Sequence, residues 1–366
     1  MIGSILIFLI VLSILILVHE LGHFVAAKRA GVLVEEFGFG LPPRLVGKKL
    51  GETIYSLNLF PFGGFVRLHG ESTGEEIKNP ARAFLNKSKK TRLVIIISGV
   101  VMNFILAIFA FGLVYTFTGV PRESQDVKIV EVNSGSPAEA AGVAPGDVIA
   151  AVSGAEVTSM KEFTQMVEEK KGEEIVLQIR RENNLVDIAV VPREIPPEGE
   201  GVLGIVITST EIYFPPIWQR PIVGAYYGFK EAIFWGTTVM AGFLAVFKEL
   251  LVGQIPKDVA GPVGIFALTS QAASFGVLTL INFLGILSVN LAIINVVPFP
   301  ALDGGRLLFL AIESVLGKRV TPKVEAAIHT AGMAVLLLLL LAITAHDIQR
   351  LIVAGGISGF VDSILK

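Results

Sequence analysis

The chain has 366 residues, 52% of them hydrophobic and only 17% charged, with a mean hydropathy of +0.70. Few soluble domains of this size show that balance, so the composition favours a membrane protein, and the formal net charge of −2 gives no basic field that would favour nucleic acid as a partner. The chain has no cysteine, which excludes disulfides, iron–sulfur clusters and thiolate zinc sites, so any transition metal must be held by His, Asp or Glu.

Four uncharged runs predict a polytopic α-helical membrane protein with four transmembrane helices. The first run covers residues 1–18 and can continue to residue 27, which is long enough to cross about 30 Å of hydrocarbon. A cleaved signal peptide is the alternative, but no basic segment precedes the run and no clear small-residue cleavage site follows it. The other runs lie at 93–120, at about 277–297 and at 326–345.

The first run ends in an H-E-x-x-H motif, His19-Glu20-Leu21-Gly22-His23. On a helix, histidines four residues apart lie on one face and can share a zinc ion. Glu20 stands beside them and is suited to act as a general base toward zinc-activated water. Ionisable side chains at the end of an apolar run are costly unless they face a cavity, a partner or a metal, and two satisfied core histidines are the alternative. The other histidines have no partner at ligand spacing and are interpreted as interfacial or structural: His69, His329 and His346.

Basic residues predict the orientation in the membrane. The segment between the first two runs holds twelve Lys or Arg against six acids, which indicates a cytoplasmic segment. Four crossings then place both termini and residues from about 121 to 276 outside, and the loop with Arg306 and Lys323 inside. We therefore expect a multi-pass protein of the inner (plasma) membrane whose H-E-x-x-H motif lies toward the cytoplasm.

Between the second and third runs, residues 126–192 have the composition and alternation of a soluble domain. Residues 136–149 resemble the PDZ-domain element in which a short helix ends at a glycine and a Pro-Gly-Asp turn leads into a strand. We therefore predict an inserted α+β PDZ domain over 121–208, with a second helix at 160–170 and a closing strand at 201–208. PDZ domains bind extended peptides as an added strand, which makes a peptide ligand a predicted partner; a spacer that binds nothing is the alternative.

Residues 209–276 predict an interfacial amphipathic helix and a linker. The apolar part, 232–247, has only sixteen residues between charged pairs, which is too few for a comfortable crossing. A crossing there would also place Asp303 at the membrane face opposite His19 and His23.

A catalytic zinc site requires a third protein ligand and an open fourth position, and Asp303 is the best candidate for that ligand. It follows two prolines that end the third run and leave irregular backbone near membrane depth, where such backbone persists only beside protein or a watery cavity. Gly304 and Gly305 permit the close approach and unusual dihedral angles that a ligand-bearing turn needs. The alternative is that Asp303 caps a helix over 304–315.

Three features in this order resemble the site-2 protease family of intramembrane zinc metalloproteases, in its bacterial regulator-of-sigma-E-protease type with one PDZ domain. They are the H-E-x-x-H motif, the PDZ insertion, and residues 295–305, which are similar to the family's N-x-x-P-x-P-x-L-D-G-G segment. The roles that the resemblance implies are Zn²⁺ binding by His19, His23 and Asp303, catalysis by the base Glu20, and substrate positioning by Asn295 and Asn290.

The family also has a membrane-associated β-hairpin beside the zinc. Residues 53–68 match its place and character, with two alternating runs around a Pro-Phe-Gly-Gly turn at 61–64. A helical substrate hides its peptide bonds in hydrogen bonds and must be unwound, and the hairpin edge would hold the unwound segment as an added strand. An ordinary cytoplasmic hairpin is the alternative.

The predicted function is regulated intramembrane proteolysis of single-span membrane proteins, such as anti-sigma factors or remnant signal peptides, within the lipid bilayer. The PDZ domain would exclude substrates that still carry bulky ectodomains. One alternative is a non-catalytic membrane PDZ receptor with a structural metal site, which has no use for Glu20 beside its ligands. Another is a metal transporter, which predicts ionisable residues along several spans, whereas the second and fourth runs hold almost none.

Overall fold

The computed structural model describes residues 2–71, 77–182, 184–252 and 260–365. The chain forms two compact units, one made of Met1–Phe117 with Ile217–Lys366 and the other of Thr118–Pro216. The helices are α1 Ile2–Arg29, α2 Lys89–Thr118, α3 Pro137–Ala140, α4 Met160–Glu168, α5 Arg220–Leu251, α6 Pro262–Ser274, α7 Val277–Val296, α8 Asp303–Leu316, α9 Pro322–Val353 and α10 Ile357–Leu365. The strands are β1 Val34–Leu50, β2 Thr53–Leu68, β3 Val120–Val132, β4 Val148–Val152, β5 Ala155–Glu156, β6 Ile175–Arg181, β7 Asn184–Val190 and β8 Ile205–Tyr213.

Five helices in the described ranges are long and apolar enough to cross a membrane: α1, α2, α5, α7 and α9. Four of them cover most of the four uncharged runs, as expected for a multi-pass membrane protein. The fifth, α5, contains the stretch that was predicted to lie at the interface. It has 32 residues because it begins at Arg220, well before the apolar part at 232–247. Helix α5 is therefore not too short to cross a membrane, contrary to the prediction from its apolar part.

The direction of α5 bears on the number of crossings. Both α5 and α7 run antiparallel to α2, so they run in the same direction as each other. The contacts that show this are Gly224–Thr116, Gly228–Ile108 and Gly236–Phe104 for α5, and Gly285–Phe111 and Ser288–Asn103 for α7. Two complete crossings in one direction need a returning segment between them. The helix described there, α6, has 13 residues and a length of about 20 Å, less than the roughly 30 Å of hydrocarbon. Four crossings therefore stay the prediction.

The hairpin differs from the predicted one. The two runs within residues 53–68 do not pair with each other, because residues 36–39 of β1 lie between them. Phe39 of β1 pairs with both Leu57 and Gly64 of β2, and the tight turn between the strands lies at Gly51, whose φ is +62°. The sequence did not indicate β1, since two prolines interrupt its alternation near the middle.

An apolar cluster in the first unit joins the sheet to the helices that surround it. It contains Ala27 of α1, Ile95 of α2, Leu310 of α8 and the strand residues Val34 and Leu68, all buried. This cluster holds the end of the H-E-x-x-H helix in fixed relation to β2 and α8.

The second unit folds around one six-stranded sheet with strand order β7-β6-β4-β3-β8, in which β5 also pairs with β4. The alternating runs at residues 127–132, 174–180 and 185–191 predict strands, and they correspond to β3, β6 and β7. Both helices begin at serines that cap them: Ser136 Oγ accepts the Glu139 N–H of α3 at 3.1 Å, and Ser159 Oγ accepts the Glu162 N–H of α4 at 3.2 Å. Helix α4 lies where the second PDZ helix was predicted, whereas the closing strand, predicted at 201–208, is β8 and runs from Ile205 to Tyr213.

Candidate active site

Three side chains from distant parts of the sequence meet at one point in the first unit. His19 and His23 come from α1, and Asp303 is the first residue of α8. The Nε2 atoms of both histidines lie 3.1 Å from Asp303 Oδ2 and 3.2 Å from each other. No other group of three or more His, Cys, Asp or Glu in the described ranges comes together in this way.

The tautomer of His23 leaves a lone pair facing this point. Its Nδ1 lies 2.8 Å from the carbonyl oxygen of Ile95, and since a carbonyl only accepts, Nδ1 carries the proton and donates it. In the neutral imidazole, the Nε2 atom is then unprotonated. A backbone carbonyl that fixes the far nitrogen of a histidine is the usual outer contact of a metal ligand.

Asn103 of α2 holds His19 in a similar way. Its side-chain amide lies 3.4 Å from His19 Nδ1, the residue is fully buried, and its Oδ1 has no hydrogen-bond partner among the described residues. An amide with its oxygen toward His19 accepts the Nδ1–H and satisfies both groups. Asn103 was not among the site residues predicted from the sequence. The signal was there, because it is the one amide in the uncharged run 93–120, where a polar side chain is costly.

These contacts fit a zinc ion. With protons on both Nδ1 atoms, two imidazole lone pairs and a carboxylate oxygen face the same point, and Asp303 Oδ2 is buried without a hydrogen-bond donor in the described part of the chain. Three acceptors that converge in a buried place repel one another unless a cation lies between them. Two nitrogens and one oxygen form the donor set of a catalytic zinc site with an open position.

The backbone around Asp303 explains its placement. A Cβ on Gly304 would lie 1.9 Å from the carbonyl oxygen of Val297, so the predicted close approach is present. The unusual dihedral angle of this turn lies at Ala301, whose φ is +81°, and not at the two glycines. The N-cap of α8 is Leu302 and makes no side-chain capping bond, so the alternative of Asp303 as a helix cap is wrong.

Helices α1 and α2 nearly touch beside the histidines. A Cβ on Gly22, inside the H-E-x-x-H motif, would lie 2.3 Å from the carbonyl oxygen of Ser98. Only glycine allows this approach, which brings Ile95 and Asn103 of α2 within reach of the two imidazoles.

Glu20 lies on the open side of the three side chains. A cavity of about 980 Å³ is lined by His19, Glu20, His23 and Asp303 together with residues 65–68 of β2. The Glu20 side chain packs over the backbone of Gly64, so the end of β2 lies directly beside it. Arg306 also lines this cavity and donates to Glu71 at 2.6 Å.

The structure does not bring the two asparagines to the cavity. Asn290 Nδ2 donates to the Ile286 carbonyl of its own helix at 3.0 Å, and Asn295 is buried on the same helix. Neither is among the described residues that line the cavity. Their role in positioning substrate stays a prediction.

The model of peptidase family M50 matches residues 7–339. The chain belongs to peptidase family M50. It is 31% identical to the zinc metalloprotease RasP of Oceanobacillus iheyensis, over 94% of this chain and 98% of that protein. It is 35% identical to a putative zinc metalloprotease of Clostridium perfringens, over 93% and 97%. It is 29% identical to the regulator of sigma-W protease RasP of Bacillus subtilis, over 96% and 99%.

This M50 protein is a zinc metalloprotease of the site-2 protease family, with one PDZ domain, as the sequence predicted. Among solved structures, the PDZ domain of an SdrC-like protein from Listeria monocytogenes is 21% identical, with a TM-score of 0.22, and aligns with 24% of this chain and 94% of that one.

Proposed function

We propose that the protein is an intramembrane endopeptidase that cuts the transmembrane segments of single-span membrane proteins. The observation that carries the proposal is the convergence of His19, His23 and Asp303 beside Glu20, at one end of an apolar helix long enough to cross a membrane. Ionisable residues in such a helix mark functional sites, and a metal that activates water explains why all four are present.

Zinc would be held by Nε2 of His19, Nε2 of His23 and Oδ2 of Asp303. Bound there, it supplies a water of lowered pKa and polarises the scissile carbonyl. The carboxylate of Glu20 takes the proton of the attacking water and delivers it to the leaving amide nitrogen. Glu20 is free for this work because the three groups proposed as ligands come from other residues.

The end of β2 is the proposed binding site for the substrate. Residues 64–67 pair on one side with residues 36–39 of β1, and residues 65–68 line the cavity beside Glu20. An unwound peptide that adds a strand along this segment exposes its carbonyls at the depth of the site.

The proposed substrates are inferred from this binding site and from the names of the related proteins. A single helix unwinds more readily than one packed in a bundle, so single-span proteins such as anti-sigma factors or remnant signal peptides are favoured. The name of the Bacillus subtilis relative, regulator of sigma-W protease, supports a role in releasing a sigma factor.

The PDZ domain is the proposed filter. Its strand β8 pairs with β3 and ends the sheet order, so its second edge can take a peptide strand next to α4. We place this domain on the extracytoplasmic side of the inner (plasma) membrane and the zinc site toward the cytoplasm, because twelve basic residues lie between the first two uncharged runs. A PDZ domain in that position excludes substrates with bulky ectodomains.

The decisive experiment compares wild type with Glu20→Gln and His19→Ala on single-span membrane peptides, with zinc measured in each preparation. We expect Glu20→Gln to keep its zinc and lose cleavage, because the amide does not accept the proton. His19→Ala should lose both. Full cleavage by Glu20→Gln would contradict the mechanism, and zinc without cleavage in the wild type would favour the non-catalytic PDZ receptor.

A further inference from the structure

Helix α9 holds the turn that delivers Asp303. The backbone N–H of Ala301, two residues before Asp303, donates to Nδ1 of His329 at 3.0 Å. Ala301 has a φ of +81°, a conformation that non-glycine residues rarely adopt. Such a conformation persists only where the surroundings fix it, and the bond to His329 is one such constraint.

The contact between α9 and this turn extends beyond one hydrogen bond. Gly332 lies one helical turn after His329 on the same face, and a Cβ there would lie 2.4 Å from Pro300 Cβ. On the other side, the centroid of the Phe309 ring from α8 lies 5.5 Å from the centroid of the His329 imidazole. The imidazole is therefore held in place between the turn and α8.

The bond to Ala301 fixes the tautomer of His329. Because Nδ1 accepts, the neutral ring carries its proton on Nε2. This Nε2 is buried and has no hydrogen-bond partner among the described residues. His329 lines the same cavity as Glu20, Asp303 and residues 65–68. His329 thus belongs to the lining of the cavity where the substrate is proposed to lie, and behind that lining it holds a buried donor without an acceptor among the described residues.

We propose that His329 is a positioning residue for the hydrolytic reaction. Its Nδ1 anchors the Ala301 turn and so sets the place of Asp303 for zinc, and its Nε2–H donates to a backbone carbonyl of the extended substrate. The second part rests on the proposed function. The first part concerns metal affinity alone and is tested without any cleavage.

Two amide substitutions separate the two nitrogens. In His329→Asn the side-chain oxygen can take the place of Nδ1 and accept the Ala301 N–H, but nothing replaces Nε2. In His329→Gln the amide reaches the place of Nε2 and leaves Ala301 without its acceptor. His329→Ala removes both contacts. The matched control is His346→Ala, which removes the other histidine of α9, an exposed one.

Zinc affinity is measured on the full-length protein in detergent by competition with a chelator. We expect His329→Ala and His329→Gln to bind zinc about 10- to 100-fold more weakly, the usual cost of removing an outer contact of a metal ligand. His329→Asn and His346→Ala should bind as the wild type does. Wild-type zinc affinity in His329→Ala, with its helicity and thermal unfolding unchanged, would overturn the anchoring role.

Steady-state cleavage at saturating zinc tests the second nitrogen. We expect His329→Asn to show a raised KM or lowered kcat, with about a tenfold loss in kcat/KM for one missing hydrogen bond to substrate. His329→Gln at saturating zinc should recover part of that loss. A wild-type kcat/KM in His329→Asn would overturn the substrate contact, whereas absence of cleavage in the wild type would count against the proposed function and leave the zinc result intact.

Discussion

The imidazoles of His19 and His23 occupy the space that a side chain at position 99 would need. A Cβ on Gly99 would lie 2.4 Å from His23 Nε2 and 2.7 Å from His19 Cε1. The two imidazoles can therefore take up this arrangement only because residue 99 of α2 is a glycine.

Gly99→Ala tests this steric argument. The added methyl group must displace the His23 ring from its bond to Ile95, so we expect zinc to bind about 10- to 100-fold more weakly, which corresponds to roughly 1–3 kcal/mol of overpacking. Chelator competition measures the loss. Gly3→Ala is the control, since a Cβ there meets nothing within 4 Å. Equal zinc affinity in Gly99→Ala would show that the histidines tolerate another placement.

In the PDZ domain, Asp147 carries a charge that is almost fully buried. Burial alone would raise the pKa of this carboxyl, but hydrogen bonds from Arg181 and from the Ala144 N–H outweigh it and hold the pKa below its usual range. A pKa lower in the folded than in the unfolded state means that ionised Asp147 stabilises the fold. That stability is present above the unfolded pKa of about 3.9 and is lost as the pH falls through the folded value.

Asp147→Asn should lower the free energy of unfolding of this domain by about 1–3 kcal/mol at pH 7. The difference from wild type should shrink below about pH 4, because the wild-type carboxyl is then protonated too. Hydrogen exchange of the domain's amides in the full chain measures both. Asp187→Asn, which changes an exposed aspartate on β7, should have little effect. A destabilisation independent of pH would rule out the charge as its source.

At the scale of elements, the uncharged runs predicted α1, α2, α7 and α9 because a long apolar stretch has few other solutions in a membrane. Strand β1 was missed, since its pairing with both segments of β2 depends on contacts far apart in sequence. The length of α5 was underestimated because its first residues include charges that the helix tolerates. The H-E-x-x-H helix was readable from spacing alone, whereas the support from Asn103 needed the packing of a second helix.

The contact between Gly64 of β2 and Glu20 predicts that a side chain at position 64 lowers kcat. Gly64→Val adds a side chain where a Cβ would already lie 3.3 Å from Glu20 Cγ. We expect kcat to fall about 10- to 100-fold because the base is displaced from its working position, with zinc content unchanged. Gly47→Val on β1 is the comparison, since its near neighbour is the flexible side chain of Arg44. Loss of zinc in Gly64→Val would mean that the strand supports the ligands instead of the base.

At the scale of the whole molecule, the number of predicted crossings placed Asp303 at the same membrane face as the two histidines. The three side chains do meet in the structure. The number of crossings could not be used to decide whether α5 itself crosses the membrane. A helix that is long enough to cross and a helix that lies along the bundle share the same composition, and only its direction relative to α7 distinguishes them.

The absence of native cysteine allows a direct test of the crossings with single cysteines and an impermeant maleimide. In intact cells we expect labelling of Lys161→Cys in the PDZ domain, whereas Lys48→Cys on β1 and Lys318→Cys after α8 should react only after permeabilisation. Lys248→Cys near the end of α5 reports on the fifth helix. Its labelling only after permeabilisation would contradict four crossings.

The order of the ligands along the chain has a consequence for biogenesis. Position 303 follows position 23 by 280 residues (303 − 23), and the whole PDZ domain lies between them. A ribosome that has already delivered α1 to the membrane has supplied two of the three groups proposed to hold zinc, and the last arrives only after α7 has been made. The nascent protein therefore lacks the complete proposed zinc site until its helices through α7 have been made.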